Sequence, residues 1–474
     1  MFFHQRFIPG LAIASYMVGD EKSRQVAVID PTRDVDEYIR IAAEQGLYIT
    51  HVLETHVHAD YVSGSVELKA RLRDAEAPQP QIVCSGMGGT QWTPPYADRL
   101  VSDGEEVRLG SVRLRAVHTP GHTLEHICWA VFDETRSTDT PWLMFTGDFV
   151  FVGDVGRPDL LGPDQQTQLA RLLYQSIFHK LFSMPDFTEI YPGHGAGSLC
   201  GKALGSRRSS SLGFERRFNR SLQPAPEPQW TSALLNEMPP APPYFKRMKQ
   251  INARGPTILG AQLPGQKRLS ANQVHQRQCD DCIVLDVRSK EAFAAAHVPG
   301  SINIPLDPNL PSWAGWVLPY DRPLVIVPPS AADMPGIVTH LIRIGLDRIE
   351  GFLEGGIEGW ENAGYPVSRL ETISVQDLHE ALNDKVQPPF VLDVRGDSEW
   401  AGGHIQGAHH IHAGLLKDRL NEVPKDRPVV VICGTGYRGS IAASVLKSSG
   451  YERVANVPGG MTAWHAAGLP ATKD

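Results

Sequence analysis

Four polar clusters in the first half of the chain carry side chains that ligate metals: His56-Val57-His58-Ala59-Asp60-Tyr61, Pro120-Gly121-His122-Thr123, Thr146-Gly147-Asp148 and Tyr191-Pro192-Gly193-His194-Gly195. Imidazole and carboxylate together suit zinc or iron, and three such ligands with open positions beside them are the arrangement of non-haem iron sites that bind oxygen. A lone loop histidine is usually a surface or hydrogen-bonded residue, so the reading rests on the clusters together. A second chemical feature lies near the C-terminus, where the apolar run 428–432 ends at Cys433 and Gly434-Thr435-Gly436-Tyr437-Arg438-Gly439 leads into a helical stretch, 440–447. Such a turn aims backbone N–H groups and the positive helix end at the sulfur. It favours a thiolate, the form that attacks sulfane sulfur and holds it as a persulfide, and two glycines let the backbone curl around it. A buried structural cysteine is the alternative.

The elements that must position these groups follow from periodicity. Residues 24–30, 48–54, 107–117, 126–132 and 142–145 read as strands, and 34–45 reads as a helix ended by Gly46. Each cluster follows or interrupts an apolar strand, where a rigid scaffold carries reactive loops. Residues 1–220 therefore read as one layered α/β domain. Seven prolines between Pro224 and Pro243 mark residues 221–267 as a linker in which regular structure is not expected. Beyond it the chain repeats itself: Val284-Leu285-Asp286-Val287-Arg288 matches Val391-Leu392-Asp393-Val394-Arg395, His297 matches His404, and Gly355-Gly356 with Trp360 match Gly459-Gly460 with Trp464. Two homologous α/β domains with mostly parallel sheets are expected at 268–368 and 369–474.

In order and spacing the four clusters resemble the metallo-β-lactamase superfamily over about residues 1–220, which implies an αββα sandwich. Within it the chain looks closest to persulfide dioxygenases, through Thr55-His56-Val57-His58-Ala59-Asp60, Thr146-Gly147-Asp148 and Gly156-Arg157-Pro158-Asp159. That resemblance implies one Fe(II), with zinc as the alternative metal, held by His56, His122 and Asp148. It leaves His58, Asp60 and His194 in a second, usually empty metal position. Tyr61 stands where the superfamily has a further histidine, and a phenol is a poor zinc ligand at neutral pH. This weakens the alternative, a zinc thioester hydrolase of the glyoxalase-II type. His58, Asp60 and Tyr61 are alternatively hydrogen-bonding supports for the ligands.

The implied reaction takes a low-molecular-weight persulfide such as glutathione persulfide, dioxygen and water to thiol and sulfite. Arg157 either binds a substrate carboxylate or pairs internally with Asp159 or Asp154. Cys200 either accepts sulfur near the metal or is a small buried hydrophobe.

The last domain resembles the rhodanese family through the Cys433 loop, Leu392-Asp393-Val394-Arg395, His404-Ile405-Gln406-Gly407 and Pro458-Gly459-Gly460-Met461-Thr462-Ala463-Trp464. This implies sulfur transfer by Cys433 with Arg438, forming or consuming thiosulfate. In the middle domain Pro328 replaces the cysteine and Asp333 replaces Arg438. The domain is expected to be catalytically silent, packing between its neighbours or contributing to a homodimer. Cys279-Asp280-Asp281-Cys282 has no second pair to complete a zinc site.

Forty-five Lys and Arg against 53 Asp and Glu leave a net charge of −8 with no dense basic block, which argues against a nucleic-acid partner. No run reaches the apolar length of a membrane span. The thinly spread cysteines and the lack of a secretory pattern at the N-terminus suggest a cytoplasmic setting.

Overall fold

Strict alternation along the strands builds the first part of the molecule. In Ile13–Asp20, Ala14, Tyr16 and Val18 face one apolar layer while Met17 faces another. In Ile127–Asp133, Ile127, Trp129 and Val131 share that first layer, and Cys128, Ala130 and Phe132 face away from it. A sheet buried on both faces needs cover on both, so two sheets stack on the shared layer and helices close the outer faces. The computed structural model describes residues 1–473 apart from 76, 203, 237, 385 and 386.

The first sheet contains, in spatial order, β1 (Phe2–Ile8), β2 (Ile13–Asp20), β3 (Gln25–Ile29), β4 (Tyr48–Leu53), β5 (Gln81–Ser85) and β6 (Arg99–Val101). The second contains β7 (Glu106–Leu109), β8 (Val112–His118), β9 (Ile127–Asp133), β10 (Leu143–Gly147), β11 (Glu189–Pro192) and β12 (Ser210–Ser211), also in spatial order. This is the expected αββα sandwich. Residues 107–117, read from the sequence as one strand, are a hairpin: Gly110 at φ 59° turns the chain between β7 and β8, which pair antiparallel.

The proline-rich segment 221–267 departs from its expected role as an irregular linker. It contains the helices Glu227–Asn236 and Tyr244–Arg254, and the prolines between 224 and 243 sit just before or within the first turn of each, where a missing N–H costs no hydrogen bond. Trp230 with Leu234, and Tyr244 with Met248, lie four residues apart and are buried.

The chain divides into two compact units, residues 1–262 with 342–345, and residues 263–341 with the chain from 346 onward. The second unit holds two five-stranded sheets. One joins β13 (Arg268–Leu269), β14 (Ile283–Asp286), β15 (Ile302–Asn303), β16 (Leu324–Val327) and β17 (Ile349–Leu353) in the order β13-β17-β16-β14-β15. The other joins β18 (Glu371–Thr372), β19 (Phe390–Asp393), β20 (His409–His410), β21 (Val429–Ile432) and β22 (Val454–Asn456) in the order β18-β22-β21-β19-β20. All pairings in both sheets are parallel, so the sequence repeat is a repeat of topology. Among the described residues no helix is long and apolar enough to cross a membrane.

Candidate metal centre and sulfur-transfer loop

Three loops leaving strand ends bring His56, His122 and Asp148 together. Thr55-His56 follows β4, His122 lies between β8 and β9, and Asp148 directly follows β10. One ligand atom from each lies within 4.8 Å of the others, and all three side chains are buried. His122 Nε2 is 3.5 Å from Asp148 Oδ2, and His56 Nε2 is 3.9 Å from it.

The tautomers follow from the other ring nitrogens. His122 Nδ1 is 2.8 Å from the Arg157 carbonyl oxygen, so it must carry the proton. Asp30 accepts from the Thr55 hydroxyl at 2.8 Å, which leaves that hydroxyl to accept from His56 Nδ1–H at 2.9 Å. Both Nε2 atoms are therefore free to ligate, the orientation that metal-binding histidines receive from such partners. Burial, reinforced by neighbouring cationic groups, holds His56 and His122 well below the usual imidazole range, so both are neutral.

His56 Nε2, His122 Nε2 and both carboxylate oxygens of Asp148 are buried without hydrogen-bond partners. Buried polar atoms are rarely left so, and His56 Nε2, His122 Nε2 and Asp148 Oδ2 converge as a metal ion requires, while Oδ1 lies toward His194. Burial pushes the Asp148 carboxyl up to about 6, with His194 opposing and Asp60 adding to the shift; a cation among these donors would favour the carboxylate. Gly193 permits the approach of β11, because a Cβ there would lie 2.7 Å from Asp148 Oδ1.

The second position expected from the sequence does not assemble as expected. Asp60 and His194 remain together, with Nε2 3.4 Å from Asp60 Oδ2 and 3.4 Å from Asp148 Oδ1, and their third member is Cys200. His58 turns away from them. Its Nε2 lies 3.1 Å from Glu54 Oε2 and 3.2 Å from Asp30 Oδ1. Burial opposes its charge, but the two carboxylates outweigh burial and hold His58 well above the usual range, which favours the imidazolium. Asp30, Glu54 and His58 form a group of their own, apart from Asp60 and His194. Tyr61 packs on the His58 ring at 4.5 Å and donates its hydroxyl to the Asp30 carbonyl at 3.2 Å.

Arg157, one of whose expected roles was to bind a substrate carboxylate, has its donors engaged within the protein. It pairs with Asp159 at 2.7 and 2.8 Å and donates to the carbonyls of Leu199 and Pro239. Its backbone N–H donates to the Cys200 carbonyl at 3.0 Å. Arg157 is thus a brace between the His122 loop and the Cys200 loop. Cys200 is buried, and burial, with Asp60 and Asp148 nearby, pushes its thiol well above the usual range.

Several residues at the site carried no reading in the sequence. His126 accepts from the Asp148 N–H at 3.1 Å, and burial lowers it to about 3. Asp30 ends β3 as the recognised clusters end their strands, a signal that could have been followed. Asn252 receives the Ser63 N–H and donates to the His58 and Tyr61 carbonyls. Lys249, one helical turn earlier, is 3% exposed, has no hydrogen-bond partner for Nζ, and stands 4.5 Å over the Trp92 ring.

In the second unit Cys433 follows β21 and is fully buried, and its Sγ accepts the N–H of Gly436 at 3.1 Å and of Gly439 at 3.3 Å. Gly436 adopts φ 86°, which lets the loop curl back over the sulfur before the helix Tyr437–Ser448 begins. Arg438 leans against Gly434 and grips Glu399 with bonds of 2.5 and 2.7 Å, a pairing that holds the Glu399 carboxyl below its usual range. The middle domain reaches this loop. Lys290 Nζ donates to the Thr435 carbonyl at 2.9 Å, and the Tyr437 hydroxyl lies 3.1 Å from Asp307 Oδ1. At the matching position of the middle domain, Pro328 follows β16, and Asp333 caps the Ser330 N–H at 3.0 Å.

Residues 8–194 match the metallo-beta-lactamase superfamily, and residues 270–363 and 374–467 each match the rhodanese-like domain. The human mitochondrial persulfide dioxygenase ETHE1 is 31% identical over 191 residues, a match covering 40% of this chain and 66% of that protein. The probable metallo-hydrolase YqgX of Bacillus subtilis is 30% identical, covering 40% of this chain and 86% of that one. A solved metallo-beta-lactamase structure from Staphylococcus aureus is 34% identical with a TM-score of 0.65, covering 74% of this chain and 98% of that chain. With its sandwich, its histidine and aspartate clusters and these likenesses, the chain belongs to the metallo-beta-lactamase superfamily and carries two rhodanese-like domains after the sandwich.

Proposed function

We propose that the chain oxidises low-molecular-weight persulfides with dioxygen at one iron held by His56, His122 and Asp148, and moves sulfane sulfur through Cys433. The observation that carries this reading is the withdrawal of His58 to Asp30 and Glu54, which leaves two neutral imidazoles and one carboxylate facing the centre. That donor set suits a mononuclear non-haem iron with open positions. The likeness to the human persulfide dioxygenase supports the same chemistry.

Iron(II) bound there would supply the redox chemistry that dioxygen requires. The protein's part is to fix the ligands through Thr55 and the Arg157 carbonyl, to keep both imidazoles unprotonated, and to enclose the site among buried side chains. Overall, the persulfide RSSH with dioxygen and water gives RSH, sulfite and two protons. Cys433, cradled by two N–H donors, then exchanges sulfur with sulfite: the Cys433 persulfide and sulfite give the Cys433 thiolate and thiosulfate, or the reverse. The middle domain is silent in this scheme, since Pro328 has no nucleophile and Asp333 would repel an anionic sulfur species.

A second reading, a zinc-dependent thioester hydrolase, is favoured by the Asp60–His194–Cys200 group beside Asp148, which could hold a second ion. The test is oxygen uptake with glutathione persulfide, with sulfite and thiosulfate measured in parallel, for wild type, Asp148→Ala and Cys433→Ser. Loss of uptake in Asp148→Ala, with uptake kept but thiosulfate lost in Cys433→Ser, supports the proposal. A wild type that consumes no oxygen with any such persulfide but cleaves a glutathione thioester with zinc replaces it with the hydrolase.

A further inference from the structure

A cavity beside the metal centre is lined by His56, His58, Trp92, Tyr96, Glu125 and Asn252. Two of these side chains, Glu125 and Trp92, both close on Gly88, where a Cβ would meet Glu125 Cβ at 2.7 Å and Trp92 Cβ at 2.8 Å. One Glu125 oxygen receives the Val57 N–H at 3.0 Å, which ties the acid to the His56 loop, and the other oxygen has no partner. Over Trp92 stands the Lys249 ammonium, buried and without a hydrogen-bond acceptor. The helix that carries it, Tyr244–Arg254, is pinned to the loop 58–63 by Asn252.

Buried charges are ordinarily paired. Burial lowers the Lys249 amine from the usual lysine range, and Glu125 opposes that shift. The ring face also favours the charged form, its N–H donors find no acceptor, and it lies close enough to act electrostatically on His56 and His122 alike. Arg157, the other basic side chain considered for this role, has its donors engaged by Asp159 and two carbonyls. Lys249 is thus a buried basic group beside the two histidines with no hydrogen-bonded anion.

We infer that Lys249, braced on Trp92, is the binding residue for a small sulfur anion at the first site, receiving the charged sulfur of the incoming persulfide and the outgoing sulfite. The inference rests on the persulfide reading for the identity of the anion, but not for the existence of the anion site. Glu125 sets the opposing sign: its charge beside Lys249 weakens anion binding and so favours release of product.

Sulfite is the probe, titrated calorimetrically into the full-length protein without oxygen. A Cys433→Ser background removes the sulfur-transfer site from the signal. Lys249→Met is expected to weaken sulfite binding by at least about tenfold, the scale of one charge-assisted hydrogen bond, while Lys249→Arg keeps most of it. Glu125→Gln is expected to tighten it. With persulfide as substrate, Lys249→Met raises KM more than it lowers kcat, while bound metal and circular dichroism stay as in the parent.

Equal sulfite affinity in the parent and Lys249→Met overturns the inference, as does a parent that binds no sulfite. Sulfite binding that depends on Lys249 in a protein consuming no oxygen would sink the dioxygenase reading alone. Oxygen consumption that is indifferent to Lys249→Met, with sulfite affinity also unchanged, would sink the anion site alone.

Discussion

The carbonyl oxygen of Arg157 accepts the Nδ1–H of His122 at 2.8 Å, and this one bond decides which nitrogen of the ring faces Asp148. Because the acceptor belongs to a backbone that the Arg157 side chain also clamps to Asp159, the orientation of His122 depends on an arginine engaged with Asp159. The first unit therefore fixes its metal-facing atoms from behind, as it does for His56 through Thr55 and Asp30.

Removing the carboxylate tests the centre directly. Asp148→Ala leaves two neutral imidazoles facing a point with no anionic ligand, and bound metal is expected to fall at least about tenfold after reconstitution. Elemental analysis of the desalted protein reads this. Circular dichroism checks that the fold survives the loss of the carboxylate's contacts with His194 and Cys200.

Asn252 provides a second test, of the helix that the proline content concealed. Its amide satisfies the Ser63 N–H and the carbonyls of His58 and Tyr61, all buried. Asn252→Ala leaves these groups without their partner, at a cost of roughly 2–4 kcal/mol. A thermal melt should fall by several degrees, and a melt matching wild type would show that the loop is held by other contacts.

The extent to which these features could be read in advance follows the range of the interactions involved. Strand alternation and the loops that end strands are local, so the sandwich, the doubled α/β domain and the clusters around His56, His122, Asp148 and Cys433 were visible. The separation of His58 from Asp60 was not, because it depends on Asp30 and Glu54, acids whose convergence appears only when β3 and β4 pair. Lys249 gave no signal either, since its burial comes from a helix packing back onto a loop about two hundred residues earlier. Prolines misled at 221–267 because composition does not say whether a proline falls in a helix interior or in its first turn.

Within the second unit, Gly414 lies flat on Trp316, and a Cβ there would meet the indole at 2.3 Å. The indole also stands edge-on to His412 at 5.0 Å, so the middle and last domains meet through an aromatic contact with no spare room. Gly414→Ala is expected to destabilise this unit by about 1–3 kcal/mol through overpacking. Denaturant unfolding followed by tryptophan fluorescence would show an earlier transition, and Trp316→Ala added to Gly414→Ala should recover part of the loss.

The middle domain also carries an acid-sensitive element. His297 is buried, its ring stacks on Phe293 at 3.8 Å, and its Nδ1–H donates to the Phe293 carbonyl at 2.7 Å. Burial, opposed by that hydrogen bond and aided by Lys447 and Arg288, lowers its pKa to about 4. In the unfolded chain the imidazole titrates near about 6.5, so between these values the unfolded state binds the extra proton. The stabilisation from a neutral His297 is therefore complete above about pH 6.5 and is lost as pH falls toward 4, by up to about 3 kcal/mol. Melting temperatures of wild type and His297→Gln, compared from pH 7.5 down to 5, should converge as the pH falls. Two parallel curves would mean that another group governs the acid limb.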